Sequence, residues 1–135
     1  DYTIPADLLE KARGLFSAGY ADEAATQMAI HDQFVDQGYL MDPHTAVASR
    51  VYDDYVAQTG DTTPTIILST ASPYKFGHSV YESIFGEIPA GMDDYQVLDA
   101  LAKKTGTTIP APLKNLNAKP NRHSQYHGRL CQSLC

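Results

Sequence analysis

The chain has 135 residues, 43% hydrophobic, 19% charged and 10% aromatic, so it is one domain's worth of globular sequence and neither disordered nor collagen-like. Ten Lys and Arg stand against 16 Asp and Glu, a formal net charge of −6. Phosphate backbones and anionic membranes are therefore poor partners for the molecule as a whole, and no nucleic acid and no membrane are expected.

No apolar run is long enough to span a bilayer. The opening, Asp1-Tyr2-Thr3-Ile4-Pro5, lacks the basic start and apolar stretch of a signal peptide and carries no initiator Met, so the expectation is a chain that begins inside a longer protein. Cys131 and Cys135 sit together at the end and cannot staple a core, so nothing argues for an oxidising compartment and the cytoplasm is expected.

In chain order, residues 5–16 read as a helix. Pro5 suits its first turn, Asp7 its positive end, and Leu8, Leu9, Ala12, Leu15 and Phe16 form one stripe before a stop at Gly19. A second helix is expected from about Asp22 to Gln37, with Met28, Ile30, Phe34 and Val35 as its apolar positions and Gly38 as the C-terminal cap. The third is the clearest. Asp42 is its N-cap and Pro43 its first residue; Val47, Ala48, Val51, Tyr52, Tyr55 and Val56 recur at three and four, and Gly60 ends it.

After a polar turn, Thr65-Ile66-Ile67-Leu68-Ser69 reads as a short strand buried on both faces. Ser72-Pro73 opens a fourth helix to about Phe85, with Phe76, Val80, Tyr81 and Ile84 inward. Tyr95 to Lys104 gives a fifth, with Val97, Leu98 and Leu101 inward and Gly106 as the stop. The Pro- and Asn-rich remainder offers one more short turn. The expected fold is thus α/β and helix-rich, with about five helices and one clear strand. A strand buried on both faces needs neighbours for its N–H and C=O groups, and no second strand is evident. Either Thr65–Ser69 is not a strand or its partners lie in other sequence; the second is favoured.

Three places can carry chemistry. In open α/β sheets ligands gather beyond the carboxyl ends of strands, which is where Thr70 falls. Ser72 caps the next helix, and Lys75 stands in its first turn against the dipole, either holding an anion such as phosphate or simply solvated. His44 and Thr45 begin the third helix; His44 either touches a ligand or another domain, or packs under the loop or faces solvent. The tail pattern His123, His127, Cys131, Cys135 has zinc-type ligands, but on a helix they spread over roughly 18 Å. A frayed terminus is expected there and no metal. No phosphate loop, dinucleotide fingerprint or nucleophile elbow is present.

Two stretches, "GYLMDPHTAVA" at Gly38–Ala48 and "STASPYKF" at Ser69–Phe76, resemble matching segments of threonine synthase at the expected spacing. "FSAGYADEAATQMAIHDQF" and "IPAPLKNLNAKPNRH" resemble the long bacterial and fungal type. The resemblance covers Asp7 to His123. It makes residues 1–123 a C-terminal segment and leaves 124–135 as a tail without a counterpart.

It implies the C-terminal part of a pyridoxal-phosphate fold type II enzyme (tryptophan-synthase-β-like). Such an enzyme converts O-phosphohomoserine and water to threonine and phosphate. The Schiff-base lysine and the phosphate-cradling loop lie upstream in that family, so no catalytic residue is expected in this chain. Lys11, Lys75, Lys103, Lys104, Lys114 and Lys119 stand in the wrong contexts, and the chain alone is expected to be inactive. The resemblance places Thr70 beside the pyridine nitrogen, with Ser69 and Ala71 also at the cofactor. It puts Lys75, Ser72, His44 and Thr45 near substrate or phosphate. Many relatives carry histidine where this chain has Ser72, which leaves a role of that histidine in question here. The expected partners are O-phosphohomoserine and the remainder of the parent chain. The alternative is a free-standing helical protein-interaction domain, supported by nine tyrosines, a residue type common at interfaces.

Overall fold

The computed structural model describes residues 3–120. Five α-helices are present there: α1 (Ala6–Arg13), α2 (Glu23–Gln37), α3 (Pro43–Thr59), α4 (Gly77–Phe85) and α5 (Asp94–Thr105). Two 3-10 turns, Pro73–Phe76 and Leu116–Ala118, complete the regular structure.

The helix ends follow local chemistry. Asp22, Asp42 and Asp93 each sit in extended conformation and accept from backbone N–H groups of the first turn. Asp93 and Gln96 form a reciprocal capping box. Gly38 and Gly60 close α2 and α3 in the left-handed region, at φ 66° and 68°, where a Cβ would be strained.

α2 lies against α3 and α4, and α4 against α5 and the first 3-10 turn. The core forms where these meet. Ile30 of α2, Ala46 of α3, Val80 of α4, and Val97 and Leu101 of α5 are fully buried; Leu40, Met41, Tyr74 and Tyr81 complete the cluster. Each large aliphatic side chain there contributes about 1.5–3 kcal/mol by leaving water. Phe85 meets Tyr81 at 5.3 Å and Phe34 edge-on at 6.1 Å. Lys104 lays its ammonium 4.7 Å and 4.5 Å from the Tyr81 and Phe85 ring centres and donates to the Tyr81 hydroxyl at 2.7 Å.

Three expectations need correction. Among the described residues there is no strand. Thr65–Ser69 runs without secondary structure, no backbone–backbone hydrogen bond from another described residue reaches it, and Ile66 and Leu68 are 86% and 75% exposed. Alternation explains this: only Ile67 turns towards α3, and a β-branched run makes a strand only when a neighbour completes the ladder. Among the described residues the expected five helices are present and the expected strand is not.

The first helix is shorter than residues 5–16. It stops at Arg13, with Gly14 as its cap, and its apolar stripe finds no core: none of its residues is buried. The fourth helix is not continuous from Ser72. Phe76, at φ −125° and ψ 37°, separates the 3-10 turn from α4. Of the apolar positions of α2, Met28 and Val35 point outward, while on α3 the buried residues are Thr45 and Ala46 and the six apolar residues that recur at three and four are half-buried or exposed. The α5 expectation holds within one residue at each end.

Among the described residues no helix is long and apolar enough to cross a membrane. The His123–Cys135 pattern lies outside the described residues.

Candidate functional site

The N-terminus of α3 and the segment from Ser69 to Phe76 lie side by side. Asp42 is the centre of the first. Its side chain is 1% exposed. One carboxylate oxygen accepts from the backbone N–H of His44 at 3.0 Å and of Thr45 at 3.4 Å, and meets the His44 ring Nδ1 at 3.2 Å. The other accepts the Thr45 hydroxyl in a short hydrogen bond. Burial pushes the Asp42 carboxyl up, but the bonds from Thr45 and His44 together outweigh it and hold the group below the ordinary aspartate range.

The second segment is anchored at both ends. At its start, the Thr45 and Ser69 hydroxyl oxygens are 3.3 Å apart. At its far end, buried Tyr74 meets the Thr107 hydroxyl at 2.6 Å, and Thr107 meets Thr105 at 2.8 Å. Thr105 gives its only proton to the Leu101 carbonyl, so the protons of this chain run from Tyr74 through Thr107 to Thr105. In between, Ser72 accepts from the Tyr74 N–H at 3.3 Å and caps the 3-10 turn.

The structure brings Thr45 and Ser69 into contact and sets the His44 ring 5.0 Å from the ring of Phe76, tilted by 58°. His44 thus meets the Phe76 ring and leaves 63% of its side chain in solvent. Thr70 is exposed, with no hydrogen bond to its hydroxyl among the described residues, and Ala71 is half-buried beside it. Lys75 is exposed on the 3-10 turn. A groove of about 200 Å³ opens where the two segments meet, walled by Gln33, Tyr39, Met41, Thr45, Ile67 and Ser69. Two larger hollows lie along residues 14–22 and α3 and include none of the expected site residues.

Two members of the site escaped the sequence reading. Asp42 stood there only as a helix cap, although the i, i+3 spacing to Thr45 places a hydroxyl over the same carboxylate. The Tyr74–Thr107 bond spans 33 positions and left no local signal.

Comparison with known proteins takes in the second segment and the first from Thr45 onward. The family model described as "Threonine synthase, C-terminal" matches residues 45–130. Human threonine synthase-like 1 is 35% identical over 83 residues, which are 62% of this chain and 11% of that protein. The mouse protein of the same name is 34% identical over 77 residues, 57% of this chain and 10% of its own length. Threonine synthase of Pseudomonas aeruginosa is 31% identical over 80 residues, 59% of this chain and 17% of that enzyme. The match thus spans only about a tenth to a sixth of these relatives. The family match takes in more than half of the chain and both anchors of the Ser69–Tyr74 segment, and the chain belongs to the threonine synthase C-terminal family.

Proposed function

We propose that this chain is the C-terminal segment of a pyridoxal-phosphate-dependent threonine synthase. The parent enzyme converts O-phosphohomoserine and water to threonine and phosphate, as a carbon–oxygen lyase acting on phosphates. One observation carries the reading for this chain: Thr70 stands exposed on a segment pinned at both ends, by Thr45 on one side and Thr107 on the other.

The donor chemistry fits the cofactor. The residues around the groove offer neutral hydroxyls, and the nearby carboxylate, Asp42, is buried and already saturated by Thr45 and His44. Pyridoxal phosphate, when bound, supplies an electron sink for bond changes at the substrate's α, β and γ carbons. Thr70 would hold the ring nitrogen by a hydroxyl, which, unlike a carboxylate, does not force that nitrogen to stay protonated. Ser69 and Ala71 would flank it. Lys75 would supply positive charge to a phosphate-bearing substrate, Ser72 fixes the turn that carries Lys75, Thr45 walls the groove from α3, and His44 would stand beside it.

The partner of this chain is then the remainder of its parent, which carries the lysine for the cofactor, in a cytoplasmic enzyme. The exposed Ile66 and Leu68, on a segment with open backbone groups, suit cover by strands from that remainder better than they suit a free-standing interaction domain.

The test is Thr70→Ala in the intact parent enzyme. Turnover of O-phosphohomoserine should fall while the thermal unfolding curve stays close to wild type. Unchanged turnover would remove Thr70 from the cofactor site, and a parent protein that releases no phosphate from O-phosphohomoserine would remove the activity itself.

A further inference from the structure

Ser69, Thr45 and Asp42 form a line of hydrogen bonds whose direction is fixed by chemistry. A threonine hydroxyl has one proton and two lone pairs, and an ionised carboxylate only accepts. Thr45 gives its proton to Asp42. Its oxygen then faces Ser69 as an acceptor, so the proton in the 3.3 Å contact is the one on Ser69. The carboxylate cannot turn away, because its second oxygen is held by the His44 and Thr45 N–H groups and the His44 ring. Water is kept from the Asp42–Thr45 pair, since Asp42 is 1% exposed and Thr45 6% exposed, while Ser69 stands at the exposed end of the line.

While it makes that contact, Ser69 has only lone pairs to offer outward. The next hydroxyl along the chain, that of Thr70, keeps its proton. From this geometry we infer that Asp42 is a positioning residue: by taking the Thr45 proton it leaves Thr45 as the acceptor that holds Ser69, and so fixes the entry of the Ser69–Ala71 segment on which Thr70 meets the cofactor's ring nitrogen. The inference rests on the function proposed above and extends it to a residue that touches neither cofactor nor substrate.

The experiment uses the intact parent enzyme loaded with pyridoxal phosphate, in four variants: Asp42→Asn, Thr45→Val, Thr45→Ser and Thr70→Ala. The readouts are the visible absorption of the bound cofactor across pH, kcat and KM separately, and thermal unfolding. Asn caps a helix as well as Asp, so Asp42→Asn keeps α3 started while offering Thr45 a donor in place of an acceptor. Asp42→Asn and Thr45→Val should move the absorption titration in the same direction as Thr70→Ala. They should lower kcat by roughly 10- to 100-fold, the scale of a small misplacement at a reacting centre, with a smaller change in KM. Thr45→Ser, which restores the hydroxyl, should recover both.

If Thr70→Ala moves absorption and kcat but Asp42→Asn and Thr45→Val do not, the positioning role is wrong and the proposed function stands. If Thr70→Ala moves neither, the assignment of Thr70 fails first. Equal loss in Thr45→Ser and Thr45→Val would mean packing rather than a hydroxyl chain, and overturns the inference. Should Asp42→Asn fail to fold, the Thr45 pair decides alone.

Discussion

Thr45 and Ser69, separated by 24 positions, touch hydroxyl to hydroxyl at 3.3 Å and join the start of α3 to the segment that carries Thr70. Everything proposed for the site depends on that contact, because it places the two family-like stretches on one groove.

The burial pattern of α2 can be checked directly. Ile30 is fully buried and Met28, two positions earlier, is 58% exposed. Ile30→Ala should cost about 2–5 kcal/mol, from lost transfer energy and the cavity left behind. Met28→Ala should stay within about 0.5 kcal/mol of wild type, as expected for a surface change. Urea unfolding midpoints measure both, and equal losses would mean the outward face of α2 is covered.

Asp42 links stability to pH. Its folded-state pKa is lowered, so its contribution is fully present above the unfolded value of about 3.9 and is lost as pH falls through the lower folded value. Asp42→Asn cannot titrate. The stability gap between wild type and Asp42→Asn should therefore be constant from neutral pH down to about pH 4 and shrink below it. Urea midpoints across that range read the gap; a gap that persists at the most acid pH would contradict the hydrogen-bonded carboxylate.

Two glycines mark close approaches of different kinds. A Cβ at Gly19 would meet Val51 Cγ1 at 2.8 Å and Cγ2 at 3.3 Å; a Cβ at Gly77 would collide with Leu98 Cδ2. Val51 is β-branched and stiff at χ1, whereas the half-buried Leu98 can swing the end of its side chain. Gly19→Ala should destabilise by about 1–3 kcal/mol, the range for overpacking, and Gly77→Ala by less. The reverse order in thermal unfolding would show that α4 and α5, not the approach to α3, are the tighter contact.

The exposed Ile66 and Leu68 should make the isolated chain self-associate through the open edge of residues 65–69. Ile66→Lys together with Leu68→Lys should shift sedimentation towards monomer without changing helix content. In the parent protein the same pair should impair folding or solubility, because that face would be covered there. Monomeric behaviour of the unmodified chain at high concentration would favour the interaction-domain alternative.

The amino-acid order determined three of the helices and their ends. Asp22, Asp42 and Asp93 start them and Gly38, Gly60 and Gly106 stop the same three, since a cap is a bond made within a few residues of itself. The two motifs were also legible, as was Ser72 capping its turn. The strand expected at Thr65–Ser69 failed for a physical reason: its composition favours extended backbone, but only a neighbouring chain can make that backbone a strand.

What the tertiary structure alone decided is which side chains face one another. Met28 and Val35 look as apolar as Ile30, yet only Ile30 meets α3 and α4 closely enough to be buried. Asp42 reads as an ordinary cap until Thr45 and Ser69 are seen to extend it into a line of hydroxyls. Tyr74 reads as one tyrosine among nine until its hydroxyl is found on Thr107. Burial and side-chain contact depend on residues distant in sequence, so no local pattern could have fixed them.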